Sequence, residues 1–121
     1  MSRQAIALEG AVAEFFAAVN AFDADGIMET FADDALVNDI RREFWGKDAI
    51  GRWVAKEIVG DKVTVKVTEV IGHHALTIVR GRYDGDYDKT GMPDELILTH
   101  YFILSAGKIA SLIIIHNRTA E

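Results

Sequence analysis

The sequence predicts an α+β fold, with helices gathered at the start and an antiparallel sheet after them. Three observations carry that prediction. Leu8, Val12, Phe15, Val19 and Phe22 recur at steps of four, three, four and three, which puts them on one stripe of a helix. Val63, Val65 and Val67 alternate with Thr64, Lys66 and Thr68, the pattern of a strand with one buried face. Beyond Gly60 the chain consists of short apolar runs separated by turn residues, with no further helical spacing.

Taken in order, the first helix has Ser2 as its expected N-cap, and Asp23-Ala24-Asp25-Gly26 interrupts its stripe. A shorter second helix buries Ile27, Met28 and Phe31. Asp33 and Asp34 then open a turn into a short strand, Ala35 to Ile40, in which Val37 and Asp39 point the same way because strand side chains alternate. Trp45-Gly46 marks another turn. From Asp48, a suitable N-cap, Ile50, Trp53, Val54 and Ile58 form a third helix that Gly60 ends. The rest is a four-stranded meander. Its first hairpin turns at Gly72-His73-His74, and its second strand runs from Ala75 to about Tyr83. The span Asp84 to Asp94 holds Pro93, the only proline, and reads as a loop. Two long strands follow, Glu95 to Leu104 and Lys108 to Asn117, joined at Ala106-Gly107.

The chain has 121 residues, one domain's length, and no repeat or linker divides residues 1–121. With 19 Asp and Glu against 13 Lys and Arg it carries a net charge of −6, which argues against nucleic acid as a partner. Cysteine is absent, which excludes disulfides, thiol nucleophiles and thiolate metal sites. No apolar run approaches the roughly 18 residues of a membrane span. Glu9 and Gly10 interrupt the place where a signal peptide needs an unbroken apolar centre. The expectation is a soluble, cytoplasmic domain with no membrane partner.

Leu112 to Ile115 are apolar at consecutive positions, as are most of Tyr101 to Leu104. A strand with one wet face should alternate, so these two read as covered on both faces. The helices supply one cover. A second copy of the same sheet is the simplest supply of the other, and a homodimer through the outer sheet face is the expectation.

Several of these residues form a wider pattern. After the first helix come Asp25-Gly26-Ile27, Phe31-Ala32-Asp33-Asp34-Ala35 and Val37-Asn38-Asp39, then Gly46, Asp48-Ala49-Ile50, Trp53 and a closing Gly107-Lys108-Ile109 hairpin. Over nearly the whole chain this resembles the nuclear-transport-factor-2-like superfamily, in particular its SnoaL-like and ketosteroid-isomerase-like branch. The resemblance implies a cone, a curved antiparallel sheet wrapped around three N-terminal helices (a cystatin-like α+β barrel), with an apolar pocket and often a dimer. Such proteins include steroid isomerases, polyketide cyclases, scytalone dehydratase and epoxide hydrolases, as well as non-catalytic binding or assembly subunits. Ketosteroid isomerase uses an Asp base, with a Tyr and a protonated Asp holding the oxyanion. On this chain the base falls on Asp39. The tyrosine falls on Phe15, which has no hydroxyl, and the protonated aspartate falls near His100.

Asp39 and His100 are therefore the catalytic candidates. On a pocket-lining face Asp39 would serve as general base, and the alternative is surface pairing with Arg41 or Arg42. His100 shares a face with Leu98, Phe102 and Leu104. It would stabilise or protonate an oxygen, and the alternative is a core histidine satisfied by one hydrogen bond. Phe15, Trp53, Phe102 and Asn117 are the substrate-binding candidates. His73, His74 and His116 lack His-x-His or His-x-x-x-His spacing, so no metal is expected. No glycine-rich phosphate loop or nucleophile elbow occurs, and no cofactor is expected. Arg80 and Arg82 share one strand face, where they would pair with a carboxylate such as Glu69 across the strand pair or bind an anionic substrate, and either could supply the arginine of the Asp–Arg–Asp set that epoxide hydrolysis needs. The expected function is cofactor-independent proton abstraction beside a carbonyl in an apolar small molecule, of isomerase, dehydratase or cyclase type. The alternative is a non-catalytic ligand-binding or dimeric assembly domain.

Overall fold

The computed structural model describes residues 4–5 and 7–116; the Asn117 candidate lies outside them, and the first helix starts at Gly10 with Glu9, not Ser2, at its N-cap position. Strand β1 (Gln4–Ala5) is followed by helices α1 (Gly10–Asn20) and α2 (Ala24–Glu29). Strands β2 (Phe31–Asp39) and β3 (Arg42–Trp45) come next. Helix α3 (Gly46–Trp53) continues without a break as a wider π-helical segment, Val54–Val59. Strands β4 (Thr64–His73), β5 (Leu76–Asp84), β6 (Leu96–Ser105) and β7 (Lys108–His116) complete the chain.

The helical stripe holds from Val12 through Val19, while Leu8 lies ahead of the helix. Phe22 leaves it, following the helix with φ 57° and an exposed ring. Asp23 caps α2 by accepting a hydrogen bond from the Gly26 amide at 2.9 Å. Two expectations change around β2. Phe31 opens that strand rather than closing α2, and Asp33-Asp34 lies within the strand, exposed, at an irregularity between Phe31 and Leu36. Pairing with the distant β7 (Phe31 opposite Ile109) outweighs the local turn preference of two aspartates. Arg42–Trp45, too short and polar to read as a strand, pairs with β2 at the sheet edge. Trp45, not Asp48, holds the N-cap position of α3, and Asp48 lies in its first turn. The first meander hairpin turns at His74-Ala75, one residue beyond the expected position.

The sheet order is β1-β4-β5-β6-β7-β2-β3. Every pairing is antiparallel except β2 with β7, so the curved, unclosed sheet is mixed. Register shifts at Val67/Glu69 and Ile103/Leu104 insert extra residues that bend the strands over the helices. Inside, Phe15 meets Phe16, Phe31 and Phe102 edge-to-face at centroid distances of 5.1, 5.9 and 5.6 Å. On β7, Leu112 and Ile114 are buried inward, while Ile113 is half-buried and Ile115 exposed on the outer face. Among the described residues no helix is long and apolar enough to cross a membrane.

Candidate active site

The β2–β3 hairpin turns on two residues, Ile40 and Arg41, both left-handed at φ 50° and 74°. Such turns suit the twist of a hairpin but favour Asn-Gly, and a non-glycine side chain there costs about 1–2 kcal/mol. The turn sets Asp39 directly opposite Arg42 in the ladder. Arg42 Nη2 donates to Asp39 Oδ2 at 2.8 Å, and the same guanidinium grips Glu57 with Nη1 at 2.8 Å and Nη2 at 2.6 Å. Glu57 reaches this position from the π-helical segment, a local geometry often found at functional sites. Its hydrogen bond from Arg42 holds the Glu57 carboxyl below the ordinary range, and Glu57 in turn raises Arg42 further.

Trp53, at the end of α3, donates its indole N–H to Asp39 Oδ2 at 3.0 Å. Its ring stacks on Phe44 at 5.9 Å, and Arg42 lies over the other ring of that pair, 5.5 Å from the Phe44 centroid. Asp39 Oδ2 thus takes two hydrogen bonds, while Oδ1 takes none among the described residues. The Asp39 side chain is 16% exposed, and it borders a cavity of about 290 Å³. Ile58, Val63, Met92, Leu96 and Leu98 give this cavity apolar walls, and Tyr83 also lines it.

His100 is fully buried and does not line the cavity. Its Nδ1 lies 2.8 Å from the Val79 carbonyl, which can only accept, so Nδ1 carries the proton. Nε2 is then an acceptor, and the Tyr83 hydroxyl donates to it at 2.6 Å. The two rings stack at 5.6 Å and 14°. Gly81 lies between Val79 and Tyr83 on the inner face, where an added Cβ would fall 2.5 Å from the Val65 side chain and 3.9 Å from the His100 ring. Burial raises the Tyr83 hydroxyl far above its ordinary pKa, and the nearby negative charge of Asp39 adds to the rise. Tyr83 therefore stays protonated and faces the Asp39 cavity, while His100 holds it from behind.

Burial lowers the His100 pKa from 6.5 to about 4, against a small opposing effect of the Val79 hydrogen bond. The folded chain thus refuses a proton that the unfolded chain accepts. The stabilisation this gives is complete above pH 6.5 and is lost as pH falls through the window down to about 4. The loss should reach on the order of 3 kcal/mol. Urea unfolding at neutral and acid pH checks it: His100→Phe, though less stable at neutral pH, should lose less on acidification than the parent. Equal losses would remove His100 as the cause.

Asp39 and Tyr83 line one cavity, and His100, which does not line it, is hydrogen-bonded to Tyr83. Phe15 and Phe102 are buried in the aromatic core, and Trp53 touches Asp39 instead of lining the cavity. Arg80 pairs with Glu69 on the neighbouring β4, and Arg82 with Glu95, just ahead of β6. The arginine between two carboxylates is instead Arg42, on the strand the sequence did not reveal. His73 and His74 pack ring to ring at their hairpin, and His116 is exposed. Among the described residues no cluster of His, Asp or Glu could hold a metal ion. Tyr83 was legible only as the end of the alternation Val79, Gly81, Tyr83, the face opposite Arg80 and Arg82.

Residues 12–112 match the family described as SnoaL-like domain. No curated protein matches the chain. Among solved structures it is similar to a polyketide-cyclase candidate from Sinorhizobium meliloti, with 28% identity, a TM-score of 0.77, and coverage of 87% of this chain and 93% of that one. It is also similar to an epoxide hydrolase/cyclase-like enzyme with a role in pyran ring formation in the polyether salinomycin, at 22% identity, TM-score 0.77 and 88% coverage of each chain. A protein with a ketosteroid isomerase-like fold from Catenulispora acidiphila, in complex with trimethylamine, has 18% identity and a TM-score of 0.74, with coverage of 87% and 83%.

Proposed function

The chain belongs to the SnoaL-like domain family, and from that premise we propose that it is an enzyme that abstracts a proton beside a carbonyl in an apolar small molecule. One observation supports this reading: Asp39, whose Oδ1 takes no hydrogen bond among the described residues, and Tyr83, whose hydroxyl donates to His100 Nε2, line the same largely apolar cavity. Asp39 takes the α-proton, and the C–H electron pair becomes the enolate. The Tyr83 hydroxyl turns from His100 Nε2 to the enolate oxygen, so His100 is a positioning residue and Tyr83 makes the contact. Asp39 then returns the proton to a different carbon, an isomerisation, or the enolate attacks a second carbonyl and Asp39 gives its proton to the alkoxide that forms, a cyclisation. The likeness to a polyketide-cyclase candidate is in keeping with either outcome. The reading invokes no cofactor.

In deuterium oxide the protein should catalyse deuterium uptake at the α-carbon of a β,γ-unsaturated cyclic ketone, followed by mass spectrometry. Uptake at the buffer rate across a panel of such ketones would overturn the enzymatic reading and favour a ligand-binding role.

We also propose that the chain forms a homodimer through the outer face of the sheet. That face carries Tyr101, Ile103, Ile113 and Ile115, with Ile103 and Ile115 more than two-fifths exposed. Sedimentation should give twice the chain mass, and Ile115→Lys should shift it toward the monomer. A monomer at every concentration tested would end this proposal.

A further inference from the structure

The loop between β5 and β6, residues 85–95, carries two of the side chains that bound the Asp39 cavity, Tyr87 and Met92. Both also bound a second and larger cavity, about 690 Å³, and so lie between the two. Tyr83 and Leu96 share that position, but they stand opposite each other in the β5–β6 ladder and are fixed by it. At about 290 Å³ the Asp39 cavity is just below ordinary ligand sites, roughly 300–1,000 Å³, so what closes it toward the larger cavity decides what it can hold.

The two loop residues differ in how far they can yield. Met92 is 41% exposed, and its unbranched thioether chain adapts to what enters. Tyr87 has a rigid ring, half-buried and packed against the core. The turn before it builds its seat. The Asp86 N–H donates to the Asp61 carbonyl at 2.7 Å, which ties the loop to the chain just after the π-helical segment. A Cβ at Gly85 would fall 2.9 Å from that carbonyl and 3.1 Å from the Tyr87 ring, so the missing side chain is what lets the ring lie there. Lys89, paired with Asp84 at 2.7 Å, lies over the ring, 5.6 Å from its centroid.

We propose that Tyr87 is the specificity-determining residue of the Asp39 site: its seated ring ends the cavity and restricts the substrate to apolar carbonyl compounds of one or two rings. The inference rests on the Asp39 cavity being the substrate site.

Naphthylamine and phenylnaphthylamine, neutral fluorescent dyes with the same two-ring body, differ by one phenyl ring. In a site with room, burying that ring should tighten binding by about tenfold or more. In the parent protein phenylnaphthylamine should instead bind no more tightly than naphthylamine. Tyr87→Ala, a truncation at a half-exposed loop position, should give phenylnaphthylamine its advantage of about tenfold and change naphthylamine affinity by less than about threefold. Tyr87→Phe keeps the ring and should keep the discrimination. An advantage of about tenfold already present in the parent, or still absent in Tyr87→Ala, would overturn Tyr87 as the limit and leave the cavity reading standing. Naphthylamine that fails to bind the parent, or binds without competing with the ketone, would overturn the cavity reading beneath it.

Discussion

Asp39→Asn is expected to slow deuterium uptake into the ketone by about 10²–10⁴-fold, the range that a positioned general base contributes. The side chain keeps its shape, and an amide oxygen can still accept the Trp53 indole N–H. Arg42 keeps both of its bonds to Glu57, so β3 stays tied to the π-helical segment. What disappears is the basicity of the Asp39 carboxylate at the cavity wall. Ligand affinity should therefore change by less than about threefold, because an interaction made only in the transition state affects rate, not binding. Glu57→Gln is the matched comparison: it removes a carboxylate from the same cluster but leaves Asp39 in place, and should slow exchange far less. A parent-like rate in Asp39→Asn would exclude Asp39 as the base.

Phe102→Ala is expected to destabilise the fold by about 3–5 kcal/mol, the usual cost of truncating a fully buried phenylalanine. Its ring meets Phe15 at 5.6 Å and Phe16 at 5.7 Å and stacks near His100 at 6.1 Å, so the hole could not close cheaply. A domain of this size is stable by only about 5–15 kcal/mol, so much of that margin would go. Urea unfolding measures the loss, and Phe102→Leu should retain most of the stability. Were Phe102 a substrate-binding residue, truncation would instead weaken naphthylamine binding at little cost in stability. That result would move the pocket inward from the wall formed by Leu98 and Leu96.

Tyr83 and Arg42 show where the sequence stops being informative about this site. Both residue types were in plain view, yet neither stood out. Arg42 gains its role because a two-residue turn sets it opposite Asp39 and because a π-helical segment brings Glu57 to its other side. Tyr83 gains its role because the pairing of β5 with β6 lays its ring against His100 on the neighbouring strand. His100 is a candidate for meeting substrate by its residue type and face alone, but both of its nitrogens are used inside the protein.

Periodicity alone was enough to assign the helical stripe from Val12 to Val19, the alternation of β4, the tight Ala106-Gly107 turn and the inward face of β6 from Leu98 to Phe102. Each of these depends on spacing between neighbours in the chain, and spacing sets which side of an element a residue occupies. Family likeness in turn and core residues identified the cone and marked Asp39 as a candidate base. The parallel pairing of β2 with β7, the strand at Arg42–Trp45, the aromatic filling of the interior and the Tyr83–His100 hydrogen bond were settled only by the tertiary structure. They depend on which elements meet and in what register, a choice made by burial and hydrogen bonding between segments far apart in the chain.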